Sequence, residues 1–157
     1  MKPCLNTYEF LVEAPFGAIG VRTLGEVVNE ITLLPTSLAR SAKSLNVRHA
    51  LIAQIQAYLS NPRAQFDIKH EVVGTTYQRL VWQAITEIPC GETRTYTELA
   101  QQIGSGPRAV ANACGANPFP LLVPCHRVVA KNGLGGFMQG FDGGLEIKKW
   151  LLAHESK

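Results

Sequence analysis

The chain has 157 residues, of which 46% are hydrophobic and 17% are charged, and its formal net charge at pH 7 is +3. These values are typical of a globular protein and exclude a disordered chain, while the length allows one ordinary domain or two small ones. The sequence has no basic N-terminal segment followed by an apolar stretch and no apolar run that could span a bilayer, so we expect a cytoplasmic protein.

Short apolar runs separated by glycine and proline predict antiparallel strands in the first part of the chain. These runs lie at 10–12, 19–21 and 31–34. Apolar residues then recur at helical spacing, which predicts a helix over 47–59 with Asn46 as its candidate N-cap and Pro62 marking its end. The segment 61–71 has the composition of a linker.

From Gly74 onward the pattern changes to that of helices. Thr75 or Thr76 can cap a helix that stops at the turn 89–91. Its predicted buried stripe comprises Tyr77, Leu80, Val81, Ala84, Ile85 and Ile88.

Two further helices joined by a glycine turn form a helix-turn-helix pattern. Thr95 and Glu98 have the spacing of a capping box, and the helix that they begin ends near Gly104. Pro107 suits the first turn of the next helix, which runs to Cys114. Helices also pack closely around glycine turns in many protein cores, so the pattern alone leaves DNA binding and simple packing open.

The surroundings of this pattern are modestly basic. Between residues 94 and 131 there are four basic residues and one acid, which permits phosphate contact without establishing it. The second helix is rich in alanine, and small side chains would allow a close approach to a groove or to another helix.

In the last part of the chain, an apolar segment at 121–123 and another at 128–129 predict a strand interrupted by a turn at 124–126. A glycine-rich loop covers 133–144, and a final helix from about residue 145 presents Ile147, Leu151 and Leu152 inward. The predicted fold class is therefore α+β. An N-terminal α/β domain (1–73) has a small antiparallel sheet and one helix, and a mainly helical C-terminal domain (74–157) has the helix-turn-helix.

The segment 124–127 reads PCHR and is the most specific chemical feature of the sequence. A nucleophilic cysteine needs a neighbouring base or positive charge, because the thiolate reacts and the thiol scarcely does. His126 and Arg127 directly follow Cys125, and we expect His126 to reach the thiol through a water or a curl of the backbone. The four cysteines have no zinc-like spacing, and burial as a small hydrophobe is the alternative interpretation of each.

A histidine that shuttles protons also needs an orienting partner, usually a carboxylate. Glu155 is the candidate, since it lies one turn beyond Leu151 on the buried stripe of the last helix. Spacing alone favours the other interpretation, in which Glu155 is a solvated residue at a frayed helix end.

Residues 74–155 closely resemble the catalytic domain of the O6-alkylguanine-DNA (methylated-DNA–protein-cysteine) alkyltransferases. The matching segments are IPCGETRTYTELA at 88–100, RAV at 108–110, NP at 117–118, LVPCHRVV at 122–129 and KKWLLAHE at 148–155. Their order and spacing agree with the family, and PCHRV is highly specific. Residues 1–73 resemble the family's N-terminal α/β domain in outline.

The resemblance implies a DNA-repair enzyme that transfers alkyl groups from O6-alkylguanine, and from O4-alkylthymine, irreversibly and once per molecule. Cys125 would be the acceptor, activated by a relay from Glu155 through His126 and a water, and Asn117 would brace its turn. We then expect the pKa of the Cys125 thiol to lie below its free value of about 8.5.

The resemblance also implies that the protein binds double-stranded DNA through the minor groove. We expect it to act as a monomer and not to bind membranes. Tyr96 would rotate the target phosphate and protonate the leaving guanine, and Arg108 would fill the vacated place in the base stack. The implied DNA-contacting set is Thr95, Arg108, Ala109, Asn112 and Cys114.

The implied substrate pocket comprises Val128, Phe141 and Asp142, and here the sequence departs from the family. Phe141 stands where relatives commonly have tyrosine, Asp142 stands where a small residue is usual, and the loop 133–144 is about three residues longer than the family pattern. Substrate preference is therefore not carried over from the resemblance.

No cofactor is implied by this chemistry. Zinc, which the resemblance associates with some N-terminal domains, would need several clustered ligands. Only Cys4, His49 and His70 are available there, without a recognisable spacing, so we predict no metal.

Three other classes of protein share parts of these patterns. Non-catalytic proteins that bind alkylated DNA share the fold but lack the nucleophilic cysteine, so Cys125 argues against them. A helix-turn-helix transcription factor leaves the PCHR segment and Glu155 unexplained. A cysteine hydrolase would explain Cys125 and His126, but neither Arg108 nor Tyr96.

Overall fold

The computed structural model describes residues 7–136 and 143–157. The chain divides into two compact units, an N-terminal unit that ends at Glu71 and a C-terminal unit that begins at Val72. The first contains a small antiparallel sheet and the second is mainly helical, which confirms the predicted α+β class. Within the described residues, no helix is both long and apolar enough to cross a membrane.

The described part of the N-terminal unit contains strands and two helices. In chain order these are β1 (Thr7–Tyr8), β2 (Phe10–Ala14), β3 (Gly17–Leu24), β4 (Val27–Pro35), α1 (Thr36–Ala39), β5 (Lys43–Ser44) and α2 (Ala50–Ser60). Strands β2, β3 and β4 form an antiparallel sheet in that order, and β1 pairs in parallel with β5. The three predicted strands lie within β2, β3 and β4, and their inward residues, such as Phe10, Ile19 and Leu33, form the core with α2.

Helix α2 begins later than the sequence pattern predicts. Its N-cap is His49, whose Nδ1 accepts a hydrogen bond from the Leu51 amide at 3.0 Å. The predicted cap Asn46 is wrong, since its φ of +56° places it in the left-handed region before the helix. The ring nitrogen of His49 thus accepts the hydrogen bond that a side-chain oxygen of Ser, Thr, Asp or Asn usually accepts at an N-cap.

The described part of the C-terminal unit contains four α-helices and two short strands. They are α3 (Thr76–Thr86), β6 (Arg94–Thr95), α4 (Tyr96–Ile103), α5 (Pro107–Gly115), β7 (Val128–Val129) and α6 (Gly144–Glu155). Helices α3, α4 and α5 contact one another, and β6 pairs in parallel with β7. Thr75 caps α3 and Thr95 caps α4, and both form complete capping boxes.

Of the predicted stripe, Val81, Ala84, Ile85 and Ile88 are buried, whereas Tyr77 is partly buried and Leu80 is 49% exposed. Trp82 is buried instead, and its indole Nε1 donates to the carbonyl oxygen of Ala113 at 2.8 Å. This bond joins α3 to α5. The tryptophan therefore helps to fix the position of the second helix of the helix-turn-helix.

Glycine and proline occupy the predicted positions in the turn between α4 and α5. Gly104 ends α4 in the left-handed conformation with φ +70°, and Pro107 occupies the first turn of α5. A glycine adopts that conformation without the steric cost that a Cβ would bring.

The segment before β7 differs from the prediction. Residues 121–123 do not form a strand, since Leu121 has a φ of +78° and the segment turns. A short 3-10 helix over Cys125–Arg127 follows and leads directly into β7. In α6, Ile147 and Leu151 are buried as predicted, while Leu152 is partly exposed.

Candidate active site

Cys125 is the first residue of the 3-10 helix, and its side chain is only 6% exposed. Asn117 braces this turn through both ends of its amide group. Its Nδ2 donates to the Cys125 Sγ at 3.2 Å and to the Val123 carbonyl at 2.9 Å, and its Oδ1 accepts from the Phe119 amide at 2.9 Å. One side chain thus holds the loop 117–125 closed and donates to the sulfur.

His126 and Glu155 form a buried pair beside this turn. The His126 Nε2 lies 2.8 Å from the Glu155 Oε2, and both side chains are almost fully buried. Arg127 binds the same carboxylate, with its Nε 2.8 Å from Oε1 and its Nη2 3.0 Å from Oε2, and its Nη1 donates to the Ile88 carbonyl. Glu155 is therefore a fixed carboxylate inside the unit, and the solvated, frayed helix end that spacing favoured is wrong.

The hydrogen bond to Glu155 determines which ring nitrogen of neutral His126 carries the hydrogen. Because a carboxylate only accepts, Nε2 is the donor and Nδ1 is left as the acceptor of the neutral ring. Burial lowers the pKa of His126, and the interaction with Glu155 offsets only part of this effect. The ring is therefore neutral near pH 7 and able to accept a proton.

A second cysteine, Cys114 of α5, influences the first, and both are free thiols. Interaction with Cys114 and burial raise the pKa of Cys125 well above its ordinary value, while interaction with Cys125 lowers the pKa of Cys114. The expectation of a lowered pKa for Cys125 is thus wrong for the free protein, because the sequence concealed both the burial and the partner thiol.

Lys148 of α6 is fully buried at the same site. Its Nζ donates to the carbonyl oxygens of Val128 at 2.7 Å, Leu134 at 2.6 Å and Gly136 at 2.9 Å. Burial lowers its pKa to about 8, although the neighbouring thiols act in the opposite direction. This cation ties β7 and the loop around 134–136 to α6.

Tyr96, at the start of α4, lies half-buried at the edge of the thiol pair. Its hydroxyl donates to the Gly136 carbonyl at 3.5 Å. Burial raises the pKa of Tyr96, and the thiols Cys114 and Cys125 raise it further. At Gly135, which has φ +75°, a Cβ would lie 2.8 Å from the Tyr96 ring, so glycine lets the loop approach the phenol.

Helix α5 has an exposed face that contains Arg108, Ala109 and Asn112. Positions 108, 109 and 112 share one side of a helix at 3.6 residues per turn. Cys114 lies on the opposite side with the buried Val110 and does not share the exposed face. Thr95 is engaged as the N-cap of α4, where its Oγ1 accepts from the Glu98 amide at 3.0 Å.

Comparison with known proteins relates this geometry to a family. Residues 76–157 match the 6-O-methylguanine DNA methyltransferase, DNA binding domain. The chain is 36% identical to a methylated-DNA–protein-cysteine methyltransferase of Mycolicibacterium paratuberculosis over 152 residues, 93% of this chain and 90% of the relative. It belongs to the methylated-DNA–protein-cysteine methyltransferase family. The resemblance drawn from the sequence is thereby confirmed.

Two further comparisons extend this result. A probable methyltransferase of the same name from Acanthamoeba polyphaga mimivirus is 57% identical over 89 residues, and the chain spans only 57% of that relative. The crystal structure of Mycobacterium tuberculosis OGT in complex with DNA superposes with a TM-score of 0.78 at 34% identity, covering 93% of this chain and 91% of the other.

The structure brings together most of the residues singled out from the sequence. Cys125, His126, Glu155 and Asn117 form one connected cluster, with Tyr96 at its edge. The predicted pocket residue Val128 is buried, whereas Phe141 and Asp142 lie outside the described residues.

Sequence reasoning missed two parts of the cluster. The interaction of Cys114 with Cys125, which shifts the pKa of both thiols, is not predicted by any local pattern in the sequence. The role of Lys148 had a visible signal, because it precedes Glu155 by seven residues and so lies on the same buried side of α6. In residues 7–136 and 143–157, no group of three or more His, Cys, Asp or Glu could hold a metal ion.

Proposed function

We propose that this chain repairs DNA by transferring the alkyl group of O6-alkylguanine, and of O4-alkylthymine, to the Sγ of Cys125. The observation that carries the proposal is the braced Cys125 thiol, which accepts a hydrogen bond from Asn117 beside the buried pair of His126 and Glu155. A hydrolase would need to release its acyl group, whereas a thioether has no comparable route back. Each molecule therefore acts once.

The proton of the Cys125 thiol has to leave as the sulfur attacks the alkyl carbon. Because burial keeps this thiol protonated, the transfer needs a base at the moment of attack. The neutral His126 has its Nδ1 available as acceptor, and a water molecule would carry the proton across. Glu155 then stabilises the imidazolium that forms, as the carboxylate does in other nucleophile–histidine–acid sites.

Tyr96 is the proposed proton donor to the leaving guanine. Its raised pKa keeps the phenol protonated at neutral pH, so it has a hydrogen to give. Cys114 and Cys125 both contribute to the raised pKa of Tyr96, which supports a position of its hydroxyl near the reacting carbon. The same side chain, at the start of α4, is suited to turn the phosphate of the target nucleotide.

The exposed face of α5 is the proposed surface for the minor groove. The alkyl carbon is buried in the duplex, so the nucleotide must be flipped out at a cost of a few kcal/mol. Arg108 is exposed at the start of α5, where its guanidinium can stack in the vacated space, while Ala109 offers little bulk to a narrow groove. Thr95 and Asn112 are the further proposed contacts.

The pocket for the alkyl group is proposed to include Val128, Phe141 and Asp142. Only Val128 is within the described residues, and its carbonyl is held by Lys148. We propose that the protein acts as a monomer, because one chain supplies the nucleophile, the base and the exposed helix.

The experiment that tests the proposal measures the intact mass of the protein before and after exposure to a duplex that contains O6-methylguanine. We expect a stoichiometric gain of one methyl group that stops after a single event. Cys125→Ser should gain none and still bind DNA, since phosphate contacts supply most non-specific affinity. A wild-type protein that binds the duplex with no gain in mass would contradict the proposal and favour a non-catalytic lesion-binding protein.

A further inference from the structure

Arg127 is a largely buried cation to which the proposed alkyl transfer assigns no step. Its Nε and Nη2 lie 2.8 and 3.0 Å from the two oxygens of Glu155, and its Nη1 donates to the Ile88 carbonyl, just beyond α3, at 2.7 Å. The planar guanidinium thus holds the carboxylate in a two-nitrogen fork. Because arginine keeps its proton in proteins, Glu155 is shared between His126 and a permanent positive charge.

The charges of this cluster balance only while His126 is neutral. Arg127 carries one positive charge and Glu155 one negative charge, and the side chains of His126 and Glu155 are each 2% exposed. A proton on His126 would add a positive charge that nothing in the pair of Arg127 and Glu155 compensates. An uncompensated charge is costly in a buried site, so the cluster favours the neutral ring.

Without Arg127, the balance of charge would be reversed. The carboxylate of Glu155 would be a buried negative charge, and a proton on His126, 2.8 Å away, would compensate it. The imidazolium and the carboxylate would then form the neutral pair, so the ring would hold its proton to higher pH. A protonated ring has no free acceptor at Nδ1 and cannot take the proton of the thiol.

We propose that Arg127 is a positioning residue that keeps His126 neutral and ready to accept a proton, because it compensates the charge of Glu155 that would otherwise hold a proton on the ring. This inference rests on the proposed function, in which His126 removes the proton of Cys125. Glu155 stabilises the imidazolium during the transfer, whereas Arg127 prevents the ring from taking up a proton beforehand.

The groups that act on His126 agree in sign with this account. Burial lowers the pKa of His126 most, the hydrogen bond and charge of Glu155 raise it, and the charges of Arg127 and Lys148 lower it. Among the described residues, these groups belong to α6 and to the 3-10 helix itself, and α3, which also packs against that helix, supplies none of them. Removal of the Arg127 charge should therefore raise the pKa of His126.

The alternative is a purely structural role for Arg127. Its bond to the Ile88 carbonyl attaches the segment after α3 to the site, and loss of that bond would lower the rate by the same factor at every pH. Loss of the charge would instead lower the rate mainly at low pH, where His126 would be protonated. The pH dependence therefore separates the two roles.

The first measurement follows the ring of His126 by NMR as the pH is varied, and it needs no alkyl transfer. In Arg127→Gln, which removes the charge and keeps a polar side chain, His126 should hold its proton to higher pH than in the wild type. Arg127→Lys keeps the charge and should return the titration towards that of the wild type. Arg79→Gln, which removes an exposed cation from α3, is the matched control and should change nothing.

The second measurement is the pH–rate profile of Cys125 modification by benzylguanine. In Arg127→Gln the acid limb should move to higher pH, with a loss of about tenfold on that limb for a displacement of one pH unit. The rates of Arg127→Gln and the wild type should converge at high pH. Arg127→Lys should recover most of the loss.

Two results would overturn the proposal. One is an unmoved titration of His126 in Arg127→Gln together with a loss of rate that is equal at every pH. The other needs no variant, since a His126 ring that is already protonated at pH 7 in the wild type would contradict the charge balance. A titration that shifts as expected in a protein that never accepts benzyl would refute only the proposed function.

Discussion

Glu155 is the residue on which the proposed acid–base chemistry depends, because its carboxylate is shared between His126 and Arg127. Both partners lie within 3.0 Å of its oxygens, and the side chain is only 1% exposed. The carboxylate can therefore act on His126 through a short, buried hydrogen bond. Arg127 keeps it oriented by binding both of its oxygens.

Glu155→Gln keeps the shape of this side chain and removes its charge. The imidazolium of His126 should become harder to form, so proton removal from Cys125 should slow. We expect alkyl transfer at neutral pH to fall by about tenfold or more, a part of the roughly 10²–10⁴ that general base catalysis contributes. Since a rise in pH favours loss of the thiol proton to solvent, the rate should partly recover there.

The measurement is the pH–rate profile of Cys125 modification by benzylguanine. Glu146→Gln is the matched control, because Glu146 is an exposed residue of the same helix, paired only with the exposed Lys149 among the described contacts. Its profile should equal that of the wild type. Profiles of Glu155→Gln and wild type that superimpose would remove Glu155 from the mechanism.

At the residue scale, the sequence was most informative where a motif is continuous. The PCHR segment pointed to Cys125 and His126 because nucleophile and base are adjacent there. Helical spacing offered Glu155 as a candidate partner of His126 but favoured a solvated helix end, and only the resemblance supported the partnership. The interaction of Cys114 with Cys125 was not predicted at all. Both interactions join distant parts of the chain, and a helical period gives the face of a residue without the identity of its partner.

At the scale of elements, the turn between α4 and α5 is fixed by one glycine. Gly104 has φ +70°, whereas Gly106 has φ −108°, and a Cβ at either position would meet no atom within 4 Å. Gly104→Ala should therefore lower the free energy of unfolding by about 1 kcal/mol through backbone strain alone.

Gly106→Ala is the control for this prediction, since an alanine adopts its conformation without strain. Urea unfolding of the two variants measures the difference. An equal decrease in the free energy of unfolding for both variants would show that the left-handed conformation of Gly104 does not cause the loss.

Arg108→Ala tests the proposed task of α5. We expect repair of a duplex to slow far more than reaction with free benzylguanine, because a free base needs no flipping. Lys131→Ala, which removes an exposed cation outside α5, should leave the ratio of the two rates unchanged. Equal losses on both substrates would show that Arg108 acts on folding or on the chemistry.

Most elements could be predicted because periodicity and caps are local properties. The capping box of α4, a threonine cap for α3, the position of Pro107 and the three strands of the antiparallel sheet follow from local sequence patterns alone. The prediction failed where local preference and the actual backbone differ, as at 121–123. There, an apolar run reads as a strand, but Leu121 adopts φ +78° and the chain turns toward Cys125.

At the scale of the whole molecule, we propose that the two units are separate domains, with a boundary near residue 73 as the sequence predicts. Both tryptophans, Trp82 and Trp150, belong to the C-terminal unit, so their fluorescence reports that unit alone. Gly17 offers a way to perturb the other unit, since a Cβ there would lie 2.0 Å from the Leu34 carbonyl oxygen.

Gly17→Val should therefore disrupt the N-terminal sheet and lower the far-ultraviolet circular dichroism, while the tryptophan emission stays native. Gly25→Ala, where a Cβ would meet no atom within 4 Å, is the control and should cost only about 1 kcal/mol. A Gly17→Val protein whose tryptophan emission shifts to that of the unfolded chain would show that the units fold together.

Locating a transferred methyl group along the chain tests whether the Sγ of Cys125 is the alkyl acceptor. The protein is incubated with a duplex that carries isotopically labelled O6-methylguanine, and the tryptic peptide 109–127 is fragmented in a mass spectrometer. We predict one labelled methyl group per chain, located on Cys125 and absent from Cys125→Ala. A label on Cys114 or Cys90, or a label that persists in Cys125→Ala, would contradict the account.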